Sequence, residues 1–166
     1  MAAESWQVLD PWADRPVLVE RLRRGLFRRD NVWLLQSYRV RIPEAVRDAI
    51  GGPEELYMPY GFTCDGRSTT LLPSHQSALG AAIAHDLGYG LPRVIGRWGR
   101  PDVLQAYLPL PRRWWDMLYY YHLAAIAREL PWLLARPANS RLWKAVSRAP
   151  QYYAVRTFGG LAWERR

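Results

Sequence analysis

The run Val32-Trp33-Leu34-Leu35-Gln36-Ser37-Tyr38-Arg39-Val40-Arg41 carries Val32, Leu34, Tyr38 and Val40 on one parity and Trp33, Leu35, Arg39 and Arg41 on the other. Side chains of a strand alternate between two faces, so this period of two, rich in β-branched and aromatic residues, predicts a strand with one wetter face. Pro43 ends it, because proline has no N–H to give to a ladder. Glu44 to Ile50 then predicts a short helix closed by Gly51 and Gly52. Leu56, Met58, Tyr60 and Phe62 alternate in the same way, giving a second strand that runs into a turn at Asp65-Gly66. The two strands are expected to pair.

Helical signals dominate the rest of the chain. Ser74 can cap a helix running through Gln76, Leu79 and Ile83 to Asp86, with Gly88 and Gly90 as its stop. Its small residues, among them Ala78, Gly80, Ala81, Ala82 and Ala84, let another element come close. Residues 91–113 hold four prolines and five arginines, a surface-loop composition with at most one short helix at Val103 to Tyr107. A long aromatic helix starts at Trp114, and a last helical segment spans Ser140 to Phe158. Strands first and helices after predict an α+β fold, a small antiparallel sheet packed against several helices. Residues 1–30, with Arg21, Arg23, Arg24, Arg28 and Arg29, read as a basic N-terminal arm or helix, and residues 31–166 as one globular domain.

The length of 166 residues suits a single domain with a real core. A hydrophobic share of 49% and a charged share of 23% exclude wholesale disorder. Nine Trp and ten Tyr point to a dense core, an adhesive interface, or both. The net charge of +8 favours an acidic partner protein, an anionic polymer or nucleic acid. Nucleic acid has the least support, because no module signature accompanies the charge. Arginine supplies almost all of that charge, which a coding bias towards GC-rich codons would also produce. Cys64 is the single cysteine, so there is no internal disulfide, as expected of a reducing compartment. No apolar signal region precedes Arg15. The most apolar segment, Trp114 to Leu134, is broken by Asp116, His122, Arg128, Glu129 and Pro131, too polar for a membrane span.

The densest polar cluster is Asp65, Gly66, Arg67 and Ser68, followed twenty positions after Asp65 by His85 and Asp86. Asp65 leaves a strand in a turn and His85-Asp86 ends a helix, positions where rigid elements expose reactive groups. Imidazole and carboxylate together suit a divalent metal such as Zn or Mn. The structural readings stand beside the chemical ones. His85 can be a hydrogen-bonded helix-end group, Asp65 an Asx turn with Gly66, and Ser68 a local hydroxyl–backbone bond. A triad of Ser68, His85 and an acid ranks lower, since no Gly-x-Ser-x-Gly elbow surrounds Ser68. Cys64 reads as a small buried residue, and His122 as a hydrogen-bonded core histidine. Asp116, a carboxylate among Trp115, Met117 and Leu118, must find a partner or stay exposed. Walker A, Gly-x-Gly-x-x-Gly and Cys-x-x-Cys patterns are missing.

Three ordered blocks, Met58 to Ser68, Ala82 to Tyr89 and Tyr153 to Trp163, resemble a phage- and prophage-associated group, domain-of-unknown-function family 1353. They are similar to its Pro-x-Gly-Phe-x-Thr-Asp-Gly-x-Ser, His-Asp-x-x-Tyr and Val-Arg-x-Phe-Gly blocks. Thr69-Thr70 stands where the family continues towards proline. The resemblance implies an aspartate on a helix after the His-Asp block, with Asp116 the choice and Asp102 the alternative. It also implies a phage setting, hence host cytoplasm or a virion.

Two functions follow as expectations. One is a metal-assisted hydrolase with metal ligands Asp65, His85, Asp86 and Asp116 and with Ser68 beside the substrate. The other is a non-enzymatic virion or host-interaction protein in which the same residues form a structural polar network.

Overall fold

The structure, a computed structural model, describes residues 4–22, 31–64, 79–95, 97 and 100–129. Between Val32 and Arg41 the chain changes sheets. Strand β3, Asn31–Leu34, ends at a bend, and β4, Tyr38–Arg41, begins after it. At the corner the Leu35 N–H donates to the Leu18 carbonyl, and the Gln36 side-chain amide donates to the Pro16 carbonyl. Leu34 and Tyr38 are an even number of residues apart, so the apolar parity survives the bend. Val32, Leu34, Tyr38 and Val40 are all buried. The alternation thus located the buried face correctly and missed the break.

As expected, β4 pairs with the second strand, β5 (Glu55–Met58), antiparallel, in the register Tyr38↔Met58, Arg39↔Tyr57, Val40↔Leu56 and Arg41↔Glu55. Tyr38, Val40, Leu56 and Met58 face the core, while Arg39 and Arg41 face out. Helix α1, Glu44–Ile50, connects the two strands and is closed by Gly51 in the left-handed region at φ 70°. That conformation is open to glycine without a Cβ penalty. The second alternating run also divides, because Tyr60 and Phe62 lie beyond the end of β5, in the turn before β6, Thr63–Cys64.

The N-terminal residues correct the expectation of a basic arm or helix. Glu4–Val8 forms β1 and Val17–Leu22 forms β2, and they pair antiparallel from Glu4↔Arg21 to Val8↔Val17. Strand order in this larger sheet is β1-β2-β3-β6. The reason lies in Val17-Leu18-Val19-Glu20, a β-branched alternation that the neighbouring arginines obscured. Val17 and Val19 are buried, with Leu18 exposed between them. Arg23, Arg24, Arg28 and Arg29 lie outside the described residues, as do the start of the Ser74 helix and the segment Ser140 to Phe158.

Helix α2, Leu79–Val94, continues beyond both Gly88 and Gly90, so neither stops it. A Cβ on Gly88 would meet Trp115 Cδ2 at 2.1 Å, so this glycine lets a tryptophan ring lie against the helix backbone. A short helix α3, Pro101–Gln105, opens the proline-rich connection two residues earlier than expected. Helix α4, Arg112–Glu129, packs along α2 and also touches α1. Trp114 of α4 donates from Nε1 to the Gly51 carbonyl at 2.8 Å. The result is a mixed α+β domain with small antiparallel sheets against helices, as expected. Among the described residues no helix is long and apolar enough to cross a membrane.

Two glycines on α2 should respond oppositely to alanine. An added methyl in a helix is ordinarily worth up to about 1 kcal/mol, whereas overpacking a filled core costs about 1–3 kcal/mol. At Gly90 the new Cβ meets Val94 Cγ2 at 3.5 Å and Phe62 Cε2 at 4.0 Å, both ordinary contacts. Gly90→Ala is therefore expected to raise the urea midpoint and Gly88→Ala to lower it. Equal responses would disprove the ring-on-backbone account.

Candidate functional site

Helical spacing places His85 and Tyr89 four residues apart on α2, and Arg112 and Asp116 four apart on α4, so each pair shares a helix face. The packing of α2 on α4 turns the two faces towards each other. His85 Nε2 lies 3.2 Å from Asp116 Oδ1, and the Tyr89 hydroxyl donates to the same oxygen at 2.8 Å. Arg112 Nε donates to the Tyr89 oxygen at 3.0 Å and lies 3.6 Å from Asp116 Oδ2. On the other side of the imidazole, Nδ1 faces Asp86 Oδ1 at 3.4 Å. His85 is 3% exposed and Asp116 is fully buried. The rings of Tyr89 and Tyr119, with centroids 4.5 and 5.1 Å away, flank the imidazole.

An imidazole between two carboxylates is favoured in the form that donates from both nitrogens. Burial by itself pulls the His85 pKa down, but the bonds to Asp116 and Asp86 outweigh it and leave it raised above the ordinary 6.5. Burial likewise pushes Asp116 up, and the bonds from His85 and Tyr89 turn the balance, so its pKa is lowered below 3.8. Burial raises the Tyr89 pKa, which keeps its hydroxyl a donor. The bonds therefore favour the imidazolium–carboxylate form of the network over the neutral one.

Of the residues expected at the site, His85, Asp86 and Asp116 come together. Asp102, the alternative to Asp116, sits on α3 with a side chain 71% exposed, 3.7 Å from Arg100. Asp65 and Ser68 lie outside the described residues. Cys64 is buried, as expected. A bound metal requires a ring nitrogen with a free lone pair, and here each nitrogen of His85 faces a carboxylate. Among the described residues no group of three or more His, Cys, Asp and Glu side chains is placed to hold a metal ion. A metal joining His85 would have to displace one of its two carboxylate contacts.

Tyr89 and Arg112 were not singled out as site residues, although their four-residue spacing from His85 and Asp116 was available. A second buried pair had no sequence signal. His122 Nε2 lies 2.7 Å from Asp10 Oδ1, both side chains fully buried, across 112 positions of chain. Trp12 stacks on the His122 ring with centroids 4.2 Å apart and planes 8° from parallel. The Trp12 backbone N–H donates to Asp10 Oδ1 at 3.0 Å. His122 is thus the hydrogen-bonded core histidine that its helix position suggested.

Comparison of the chain with models of protein families, with curated proteins and with solved structures finds no match.

The directions of the two shifts predict a pH window. A raised His85 pKa gives stability that is present below 6.5 and lost as pH rises through the folded value. A lowered Asp116 pKa gives stability that is present above 3.8 and lost as pH falls through its folded value. Asp116→Asn should therefore cost most between those two ordinary values. The expected scale is about 3–5 kcal/mol, as for removing one partner of a buried pair. The variant's His85 should titrate below the wild-type value. Urea midpoints across pH and ring-proton NMR check both, and a pH-independent difference would refute the ion-pair assignment.

Proposed function

We propose that this chain is a non-enzymatic binding protein, in which Asp86, His85, Asp116, Tyr89 and Arg112 form an internal brace and the arginine-rich surface takes an acidic partner. The observation that carries this reading is the state of His85. Its ring is buried and both nitrogens are directed at carboxylates, so a role in turnover would require one of those contacts to be given up. A polar network inside a core, with His85 and Tyr89 of one helix meeting Asp116 of the other, favours one packing of its helices. The chain's charge of +8 supplies the attraction. The phage setting implied by the three sequence blocks puts the partner among virion or host components.

One observation favours the metal-assisted hydrolase as a second reading. Asp86 Oδ2 is buried and, among the described residues, has no hydrogen-bond partner. A carboxylate oxygen of this kind could serve a metal or a water. In that scheme Asp65, His85, Asp86 and Asp116 hold the metal, which lowers the pKa of its water, and Ser68 contacts the substrate.

His85→Asn separates the two. Under the binding reading the native protein carries no stoichiometric metal and the variant loses about 1–3 kcal/mol, the scale for a disrupted buried polar bond. Below its melting transition the variant should still be retained on a polyglutamate matrix. Metal analysis, melting temperature and retention on one preparation decide the matter. Stoichiometric Zn or Mn that disappears from a folded variant would replace the binding reading with the hydrolase.

A further inference from the structure

A cavity of about 260 Å³ opens between the outer face of β4–β5 and the segment that carries α3. It is lined by Arg39, Glu55, Tyr57, Arg100, Val103 and Tyr107. We propose that it is a binding site for an organic carboxylate with an apolar or aromatic flank. The proposal rests on the reading of this chain as a binding protein for acidic groups and assigns that role to particular residues.

The walls are held in place before any ligand arrives. Tyr107 donates its hydroxyl hydrogen towards the Glu55 carbonyl at 3.3 Å and accepts from the Tyr57 N–H at 2.9 Å, which fixes its ring against the open edge of β5. Arg39 is anchored through its backbone N–H to Asp14 Oδ1 at 2.9 Å and through Nη1 to Glu55 Oε2 at 2.8 Å. Arg41 Nε takes the other Glu55 oxygen at 3.3 Å. Glu55 is thereby balanced by two guanidinium groups, and the site keeps a cationic surplus for an incoming monoanion. Arginine suits this task because its planar fork matches a carboxylate with two parallel bonds.

Arg100 is the second observation. It is the one residue other than glycine with positive φ among the described residues, at φ 49° and ψ 48°. A long side chain seldom occupies this region, and strain of this kind concentrates at binding sites. Among the described residues the guanidinium has a loose ion-pair neighbour, Asp102, at 3.7 Å, and both side chains are largely exposed. Facing arginines from β4 and the start of α3, with Tyr57, Tyr107 and Val103 as an apolar wall, describe a small planar acid. The volume lies just under the usual range for small-molecule pockets, which limits the guest to about one ring and its acid group.

Arg100→Gly removes the guanidinium at a position whose backbone suits glycine, so the variant should fold with an unchanged or raised melting temperature. The probes are 4-hydroxyphenylacetate, its neutral amide, inorganic phosphate and a capped peptide containing glutamate. They are titrated into isotope-labelled wild-type protein and followed by NMR. The expected result is saturable shifts at Tyr57, Val103 and the Arg39 and Arg100 side chains with a carboxylate and none with the amide. Affinity should fall at least tenfold in Arg100→Gly. A response to the free acid marks a small-molecule ligand, whereas a response to the peptide alone marks the carboxylate of a partner chain. Equal response to phosphate, or none to either carboxylate, overturns the proposal. If polyglutamate retention then persists, the binding reading survives and only this site falls; if retention is absent too, both fall.

Discussion

Burying the Asp116 carboxylate removes a charge from water, which costs several kcal/mol after the protein has relaxed around it. The contact between α2 and α4 is arranged around answering that charge. His85 and Tyr89 reach one oxygen from α2, and Arg112 lies near the other from one turn earlier on α4. Sliding or rotating one helix against the other would strand a carboxylate in the core. The pair therefore specifies a register that apolar packing alone would leave degenerate. Gly88 works to the same end, because a Trp115 ring against bare backbone tolerates little displacement.

A second internal pair ties the N-terminal sheet to the same helix. His122 is six residues after Asp116 on α4, so the two project roughly 120° apart around the helix. The helix thus takes α2 on one flank and the loop after β1 on another. Asp10 meets His122, Trp12 covers its ring, and Gly80 admits the loop, since a Cβ there would lie 2.9 Å from the Leu9 carbonyl. With the chain crossing at 10–12 fixed, the Trp12 carbonyl accepts from Arg41 and Ala13 bridges Val40, which fastens the inner edge of β4. The outer edge of the pair, on β5, is closed by the Tyr107 hydroxyl. Arg39 and Arg41 are left on a rigid, outward face with one edge covered by backbone and the other by a side chain. Such a surface can hold a ligand without first being ordered.

What the amino-acid order determined alone were the features set by neighbours a few residues apart. Alternation at Val32, Leu34, Tyr38 and Val40 fixed which side chains enter the core, and Pro43 and Gly51 bounded α1, because steric rules for a strand, a proline and a left-handed glycine are local. His85, Asp86 and Asp116 were legible as candidates because a histidine beside an acid and a carboxylate within an aromatic helix both demand partners. The tertiary structure alone decided which partners they found. The bonds joining His85 to Asp116 and His122 to Asp10 span 31 and 112 positions, and no periodicity encodes such distances. The same holds for the break at Gln36, which depends on a carbonyl from β2's approach, and for Gly88, whose neighbour is a ring on another helix. A local pattern states that a group must be buried or turned; the chain's return path supplies the atom it meets.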